Sequence, residues 1–212
     1  MSSINSPILT NPIQTWNSRY DRDDYIFGTE PNHYLLKHKA YFKAGMSALA
    51  VADGEGRNSV WLAKQGLITT AFDISSVGVE KACKLARAEN VAVNFSVADC
   101  QSWDWGAQKF DIIAAIFIQF ADPVMRKKLF SQMIGALNPG GIIILQGYTP
   151  KQLDYKTGGP GLIDHLYTED LLRKEFSDLE FINLSVYDAE LKEGFQHAGL
   201  SALIGMVAKK QC

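Results

Sequence analysis

The stretch Ala48-Leu49-Ala50-Val51-Ala52-Asp53-Gly54-Glu55-Gly56-Arg57-Asn58-Ser59-Val60-Trp61-Leu62-Ala63 decides how this chain folds. A short apolar run, 47–53, ends in an acid, and glycines follow at 54 and 56. Residues 57–66 then show the amphipathic spacing of a helix, stopped by Gly66. A strand is therefore predicted to turn directly into a helix. Glycine at such a turn lets backbone approach a ligand closely. In an open α/β sheet these turns, at the carboxyl ends of strands, are where ligands bind.

Outward from this unit the pattern repeats. Leu67–Asp73 is a second apolar run, and 77–90 is a helix. Val93–Asp99 and Phe110–Phe120 are further strands, with a helix predicted over 125–137. Asn138–Tyr148 supplies a turn and a fifth strand. Strand and helix alternating at this spacing imply βαβ crossovers and a parallel sheet, with helices on both faces. The near-continuous apolar runs at 112–118 and 142–145 suit strands covered on both sides. The end of the chain differs. Residues 177–191 and 200–209 are strand-like, with only Lys-Glu-Gly-Phe-Gln-His-Ala-Gly between them, so an antiparallel pair at a sheet edge is expected. At the other end, Pro7 and Pro12 are expected to keep the first dozen residues irregular. Residues 15–43 are read as helical in two pieces broken near Gly28 and Pro31. No repeat or linker divides the chain, so 1–212 is taken as one domain with 1–45 as an N-terminal arm.

Composition narrows the function classes. The charges, 21 Lys+Arg against 23 Asp+Glu, give a net of −2, which does not suit an electrostatic nucleic-acid coat or a polybasic membrane tether. Hydrophobic residues are 47% and charged ones 21%, a globular balance. Cys83, Cys100 and Cys212 are an odd number without a CxxC pair, which argues against a disulfide framework and a structural zinc site, and no metal is expected. The first residues lack a basic stretch followed by an apolar one, and no run approaches about 18 apolar residues, so a cytoplasmic protein without a membrane partner is the expectation.

Two acids sharpen the ligand. A dinucleotide fingerprint would need a third glycine where Ser59 stands. Asp73 ends the second strand, where a carboxylate accepts both hydroxyls of a ribose. Asp99 ends the third, where it could accept from an exocyclic amine such as adenine N6. Ribose and adenine acceptors without a pyrophosphate cradle suit a nucleoside whose 5′ end is not a phosphate. S-adenosylmethionine is such a nucleoside.

Together these residues resemble the class I S-adenosylmethionine-dependent methyltransferases, nearly along the whole chain. Ala48–Gly66 is similar to the family's glycine motif, Thr70–Ser75 to its ribose motif, and Val97–Trp103 to its adenine motif. The resemblance implies a doubly wound, mostly parallel seven-stranded sheet of order 3-2-1-4-5-7-6 with an antiparallel last strand. The start, Thr15–Leu35, with its aromatic, Arg, aromatic and Gly-x-x-Pro-Asn pattern, resembles the small bacterial branch of tellurite-resistance-type and thiopurine-type enzymes, whose N-terminal segment folds over the cofactor. The chain departs from the family at Ala50, where an acid is common, and at Ala52, where a glycine is common.

The resemblance implies a set of roles. Ala52, Asp53, Gly54 and Gly56 would approach the methionine moiety, and Arg57 its carboxylate. Asp53 is the candidate replacement for the missing acid, and Ala52 permits close backbone approach if its φ is negative. Asp73 would hold the ribose, Ile74 pack on adenine, Asp99 and the Cys100 amide read the base, and the Ile116 carbonyl line the sulfonium region. Trp16 and Tyr20, four apart on a helix, would cap the cofactor. Tyr25, Phe27 and Tyr34 would form an aromatic substrate wall, with Gln119 as a hydrogen-bonding partner. Tyr148, Glu193 and His197 are the candidate catalytic groups, the last two expected in the join between the final strands. Arg126-Lys127-Lys128 reads as a solvated helix face. The expected activity is methyl transfer to a small molecule, such as a thiol, thiopurine or metalloid oxyanion, by a monomer or homodimer. A non-catalytic cofactor-binding module and a nicotinamide-dependent oxidoreductase remain alternatives.

Overall fold

The computed structural model describes residues 11–211. The expectations at Pro7 and Cys212 lie outside the described residues. Seven strands form one sheet of order β3-β2-β1-β4-β5-β7-β6. They are β1 (Ser47–Val51), β2 (Ile68–Asp73), β3 (Val93–Val97), β4 (Phe110–Ile116), β5 (Leu137–Tyr148), β6 (Leu179–Glu193) and β7 (His197–Lys210). The first five are parallel, and β7 runs antiparallel to both β5 and β6. This is the expected topology. It also separates the sheet from an all-parallel dinucleotide-binding one.

Helices α1 (Pro12–Tyr20), α2 (His33–Lys37), α3 (Arg57–Lys64), α4 (Ser76–Ala88), α5 (Pro123–Ala136), α6 (Gln152–Tyr155) and α7 (Glu169–Glu175) follow the polar spacers. Their starts are chemically marked. Ser75 Oγ accepts from Gly78 N at 3.0 Å, and Asp122 Oδ1 accepts from Met125 N at 2.8 Å with Pro123 in the first position. Pro12 does the same for α1 behind the Asn11 cap, so it begins a helix where irregular chain was expected. A proline at that position gives up an N–H that has no helical partner anyway.

Side chains alternate across the sheet as the strand pleat requires. Leu49, Val51, Ile113, Ala115, Ile143 and Leu145 face Phe130 and Met133 of α5 and Phe176 after α7. Ala48, Ile112, Ala114, Ile142 and Ile144 face Tyr34, Leu35 and Leu62 on the other side. Two differences in extent matter. Asn138–Gly141 loop out of the β4–β5 ladder, where Phe110 pairs with Leu137 and Ile112 with Ile142. The β6–β7 hairpin is longer than expected: Glu193 pairs in register with His197, leaving Gly194, Phe195 and Gln196 as its tip. Arg126 is also buried rather than solvated, donating to Asp164 O at 2.6 Å.

Tyr34 is pinned by what β7 lacks. A Cβ at Gly205 would fall 2.2 Å from the Tyr34 ring, and the Tyr34 hydroxyl donates to Asn183 Oδ1 at 2.9 Å.

Candidate functional site

At the end of β1 the chain must reverse into α3 in five residues, 52–56. Three of them take left-handed backbone: Ala52 (φ 49), Gly54 (φ 62) and Gly56 (φ 93). Ala52 thus has a positive φ, so the condition set for close approach at an alanine is not met. A side chain at Gly54 would meet the Tyr20 hydroxyl, with a Cβ at 2.6 Å, and one at Gly56 would strike Ala82 of α4 at 2.6 Å. Glycine at these places brings α1 and α4 against the turn.

The acid ending β2 braces the turn. Asp73 Oδ2 accepts from Gly54 N at 2.8 Å and Oδ1 from Ser75 N at 2.8 Å. Burial nonetheless pushes its pKa up to about 6. Asp53 is pushed further, to about 7, first by burial and also by the Asp73 charge. Its Oδ1 accepts from Ser59 N at 3.3 Å, whereas its buried Oδ2 has no partner among the described residues.

A cavity of about 610 Å³ opens above these groups, within the roughly 300–1,000 Å³ usual for small-molecule sites. Trp16 and Tyr20 of α1 line it, their rings stacked with centroids 5.4 Å apart. Ala52, Asp53, Gly54, Arg57, Asp73 and Ile74 line the floor. Asp99, Cys100 and Ile116 border it from the ends of β3 and β4. Asp99 Oδ1 accepts from Gln101 N at 2.7 Å and Ser102 N at 2.8 Å, so that oxygen caps a turn. The Cys100 thiol is pushed up to about 12 by burial and stays protonated at neutral pH. Phe27, Gln119, Tyr148 and His197 border the remaining end. The His197 ring lies 4.5 Å from Phe27, 4.3 Å from Phe117 and 5.9 Å from Tyr148, centroid to centroid. Burial first, then the Arg57 charge, lowers the His197 pKa to about 3. Its Nδ1 and the Tyr148 hydroxyl are buried without partners among the described residues.

Several expected site residues are placed differently. Gly56 packs on α4 and does not line the cavity. Tyr25 lies outside it, its hydroxyl donating to Lys81 O at 3.2 Å, and so does Tyr34, which is held against Gly205 of β7. Gln119 borders the cavity, but its amide is consumed structurally: Nε2 donates to Tyr148 O and His165 O, and Oε1 accepts from Tyr148 N. Glu193 and His197 are on paired strand ends, not in a loop. Glu193 does not face the cavity. It accepts from Arg57 Nη2 at 2.8 Å, Asn32 Nδ2 at 3.1 Å and His33 N at 2.9 Å. Burial works to raise its pKa, but Arg57 and these donors outweigh it and hold the carboxylate low. Arg57 is correspondingly occupied, with Nη1 donating to Phe27 O at 3.3 Å. Neither partner has the freedom assigned to it from sequence.

The sequence reading passed over the clamp on residues 21–33. Lys81 Nζ lies 2.5 Å from Glu55 Oε1 and also donates to the carbonyls of Tyr20, Arg22 and Asp24. Glu55 Oε2 accepts from Ile26 N at 2.8 Å, and Asn32 N donates to Asn58 Oδ1 at 3.0 Å. Glu55 and Asn58 stand inside the glycine motif, which was the available signal. Phe117, a non-glycine residue at φ 55 after β4, gave none.

Comparison with known proteins agrees with this architecture. Residues 48–141 match a family model described as a methyltransferase domain. No curated protein matches the sequence. A structure solved in work on the conversion of a disulfide bond into a thioacetal group during echinomycin biosynthesis superposes with a TM-score of 0.76 at 15% identity, covering 95% of this chain and 92% of that one. TehB from Haemophilus influenzae gives 0.71 at 16% identity, over 94% of this chain and 67% of its own. The N-methyltransferase NodS from Bradyrhizobium japonicum WM9, in complex with S-adenosyl-L-homocysteine, gives 0.71 at 14% identity, over 93% and 97%. The seven-stranded sheet is thus the Rossmann-like fold of the methyltransferases, and residues 48–141 carry their domain signature.

Proposed function

We propose that the cavity binds S-adenosylmethionine and that the protein transfers its methyl group to a small molecule of the thiol, thiopurine or metalloid-oxyanion class. One observation carries the reading: the glycine turn, Asp73 and Asp99 border a single cavity at the carboxyl ends of β1, β2 and β3. The residues present also fit the cofactor, since the turn leaves a buried, unpartnered carboxylate oxygen on Asp53 for a cationic group.

The cofactor supplies an activated methyl group on a sulfonium. The chain supplies the rest. Asp73 accepts the ribose hydroxyls, Ile74 packs on the adenine, and Asp99 with the Cys100 N–H reads its edge. Trp16 and Tyr20 exclude water from above. The acceptor lies among Phe27, Phe117, Tyr148 and His197. Tyr148, its pKa raised by burial, stays protonated and can donate a hydrogen bond. His197, neutral and weakly basic, can orient a nucleophile but is a poor proton acceptor. An acceptor that arrives as an anion, or needs no deprotonation, suits such a site. A thiolate meets that condition.

Calorimetry and thermal shift with S-adenosylmethionine and S-adenosylhomocysteine test the binding, and a panel of thiols, thiopurines and selenium or tellurium oxyanions tests the transfer. Absence of both heat and stabilisation would reject the cofactor. Tight binding without turnover on the panel would leave a cofactor-binding module.

A further inference from the structure

The amino-acid arm of the cofactor carries an ammonium and a carboxylate, and each needs a counter-charge. This inference rests on the cofactor reading above. At the end of β1, Ala50 offers no carboxylate. Of the acids bordering the cavity, Asp73 accepts from Gly54 N and Ser75 N and gives its remaining lone pairs to the ribose, and Asp99, which caps a turn beyond β3, is taken by the base. Asp53 alone among them has a buried oxygen without a partner among the described residues. Leaving such an oxygen unsatisfied is costly, and an ammonium brings three donors.

The cations narrow in the same way. Two arginines border the cavity, Arg19 and Arg57. Arg57 is claimed by Glu193. Arg19 has no carboxylate partner among the described residues: its Nη2 donates to the neutral Gln196 Oε1 at 3.1 Å, and its guanidinium lies 4.4 Å from the centroid of the Trp16 ring. The adjacent Tyr20 rests its hydroxyl on Gly54, which brings this end of α1 to the turn.

We infer that Asp53 on the glycine turn and Arg19 on α1 clamp the amino-acid arm, Asp53 taking the ammonium and Arg19 the carboxylate. Binding the arm then draws α1 onto the turn. The clamp also has a protonic signature. Asp53 faces the Asp73 carboxylate, the Arg57 guanidinium and the Ser59 N–H, and burial favours its neutral form. An ammonium beside it favours the ionised form, so a proton leaves on binding near neutral pH.

The test compares two probes by calorimetry: S-adenosylhomocysteine, which has the arm, and 5′-deoxy-5′-methylthioadenosine, the same nucleoside without it. Arg19→Gln and Asp53→Asn should each weaken S-adenosylhomocysteine roughly tenfold to a hundredfold, as loss of one charge-assisted bond implies, and leave methylthioadenosine within about twofold. Arg19→Lys should fall between wild type and Arg19→Gln. Repeating the wild-type titration in buffers of different ionisation heat should show proton release that Asp53→Asn loses. Equal weakening of both probes, or no weakening of S-adenosylhomocysteine, overturns the clamp. Methylthioadenosine binding also reports that each variant is folded. If wild type binds neither probe, the cofactor reading falls and takes the clamp with it.

Discussion

Ala52 holds a left-handed backbone at φ 49, a conformation that costs an L-residue about 1–2 kcal/mol. Ala52→Gly should therefore stabilise the protein by about 1 kcal/mol, after the entropy that glycine adds to the unfolded chain is subtracted, as urea denaturation would show. No local feature of Ala50–Gly56 reveals this strain; it follows from the path from β1 into α3. Asp53 makes a second residue-scale prediction. Its folded pKa of about 7 lies above the ordinary 3.8, so between these values the folded state keeps a proton that the unfolded chain has lost. That stabilisation is fully present at low pH and disappears as pH rises through 7. Asp53→Asn lacks this term, so its stability relative to wild type should climb between about pH 4 and 7 and level off above, with a slope of at most about 1.4 kcal/mol per pH unit. A flat difference across that range would show that Asp53 ionises freely.

At the scale of elements, residues 21–33 form a strap fastened by two buried ion pairs, Lys81–Glu55 and Arg57–Glu193. Removing one partner strands the other charge in the interior. Lys81→Met should cost about 3–5 kcal/mol in urea denaturation, and adding Glu55→Gln should restore part of that loss. An additive or worse double variant would show that the pairing carries no coupling. Sequence supplied Glu55, Arg57 and Glu193 only as separate residues. Arg57 at a helix start looked free for a ligand, and Glu193 looked like a base beside His197. Asn32 and Glu193 are 161 residues apart in the chain, so their meeting depends on β6 and β7 reaching the far edge of the sheet.

For the whole molecule, most of the topology was legible because each parallel strand announced itself as an apolar run, with Asp73 and Asp99 marking two ends. The antiparallel tail was legible from two strands with no helix between. The hairpin length was not: exposed polar residues such as Glu190 and Lys192 alternate with buried Leu191 and Glu193, and a polar edge strand resembles a loop. The end of the cavity proposed for the cofactor could be approached from sequence because it lies along one turn and successive strand ends. The other end, where the acceptor is proposed to lie, gathers Phe27, Phe117, Tyr148 and His197 from distant segments, and their meeting depends on the finished fold. Binding should register globally. S-adenosylhomocysteine at a hundred times its dissociation constant should add about 2.7 kcal/mol, a rise in melting temperature of roughly 5–10 °C.

The seat of Tyr34 on Gly205 has a consequence for how the chain folds. A ring near the beginning fits a gap that exists only once the last strand has joined its neighbours. The sheet can assemble from the middle outward, but the Tyr34 ring has no seat until β7 has paired with β5. Seating of this ring is therefore coupled to a pairing between segments far apart in the chain, the kind of contact that forms late in folding.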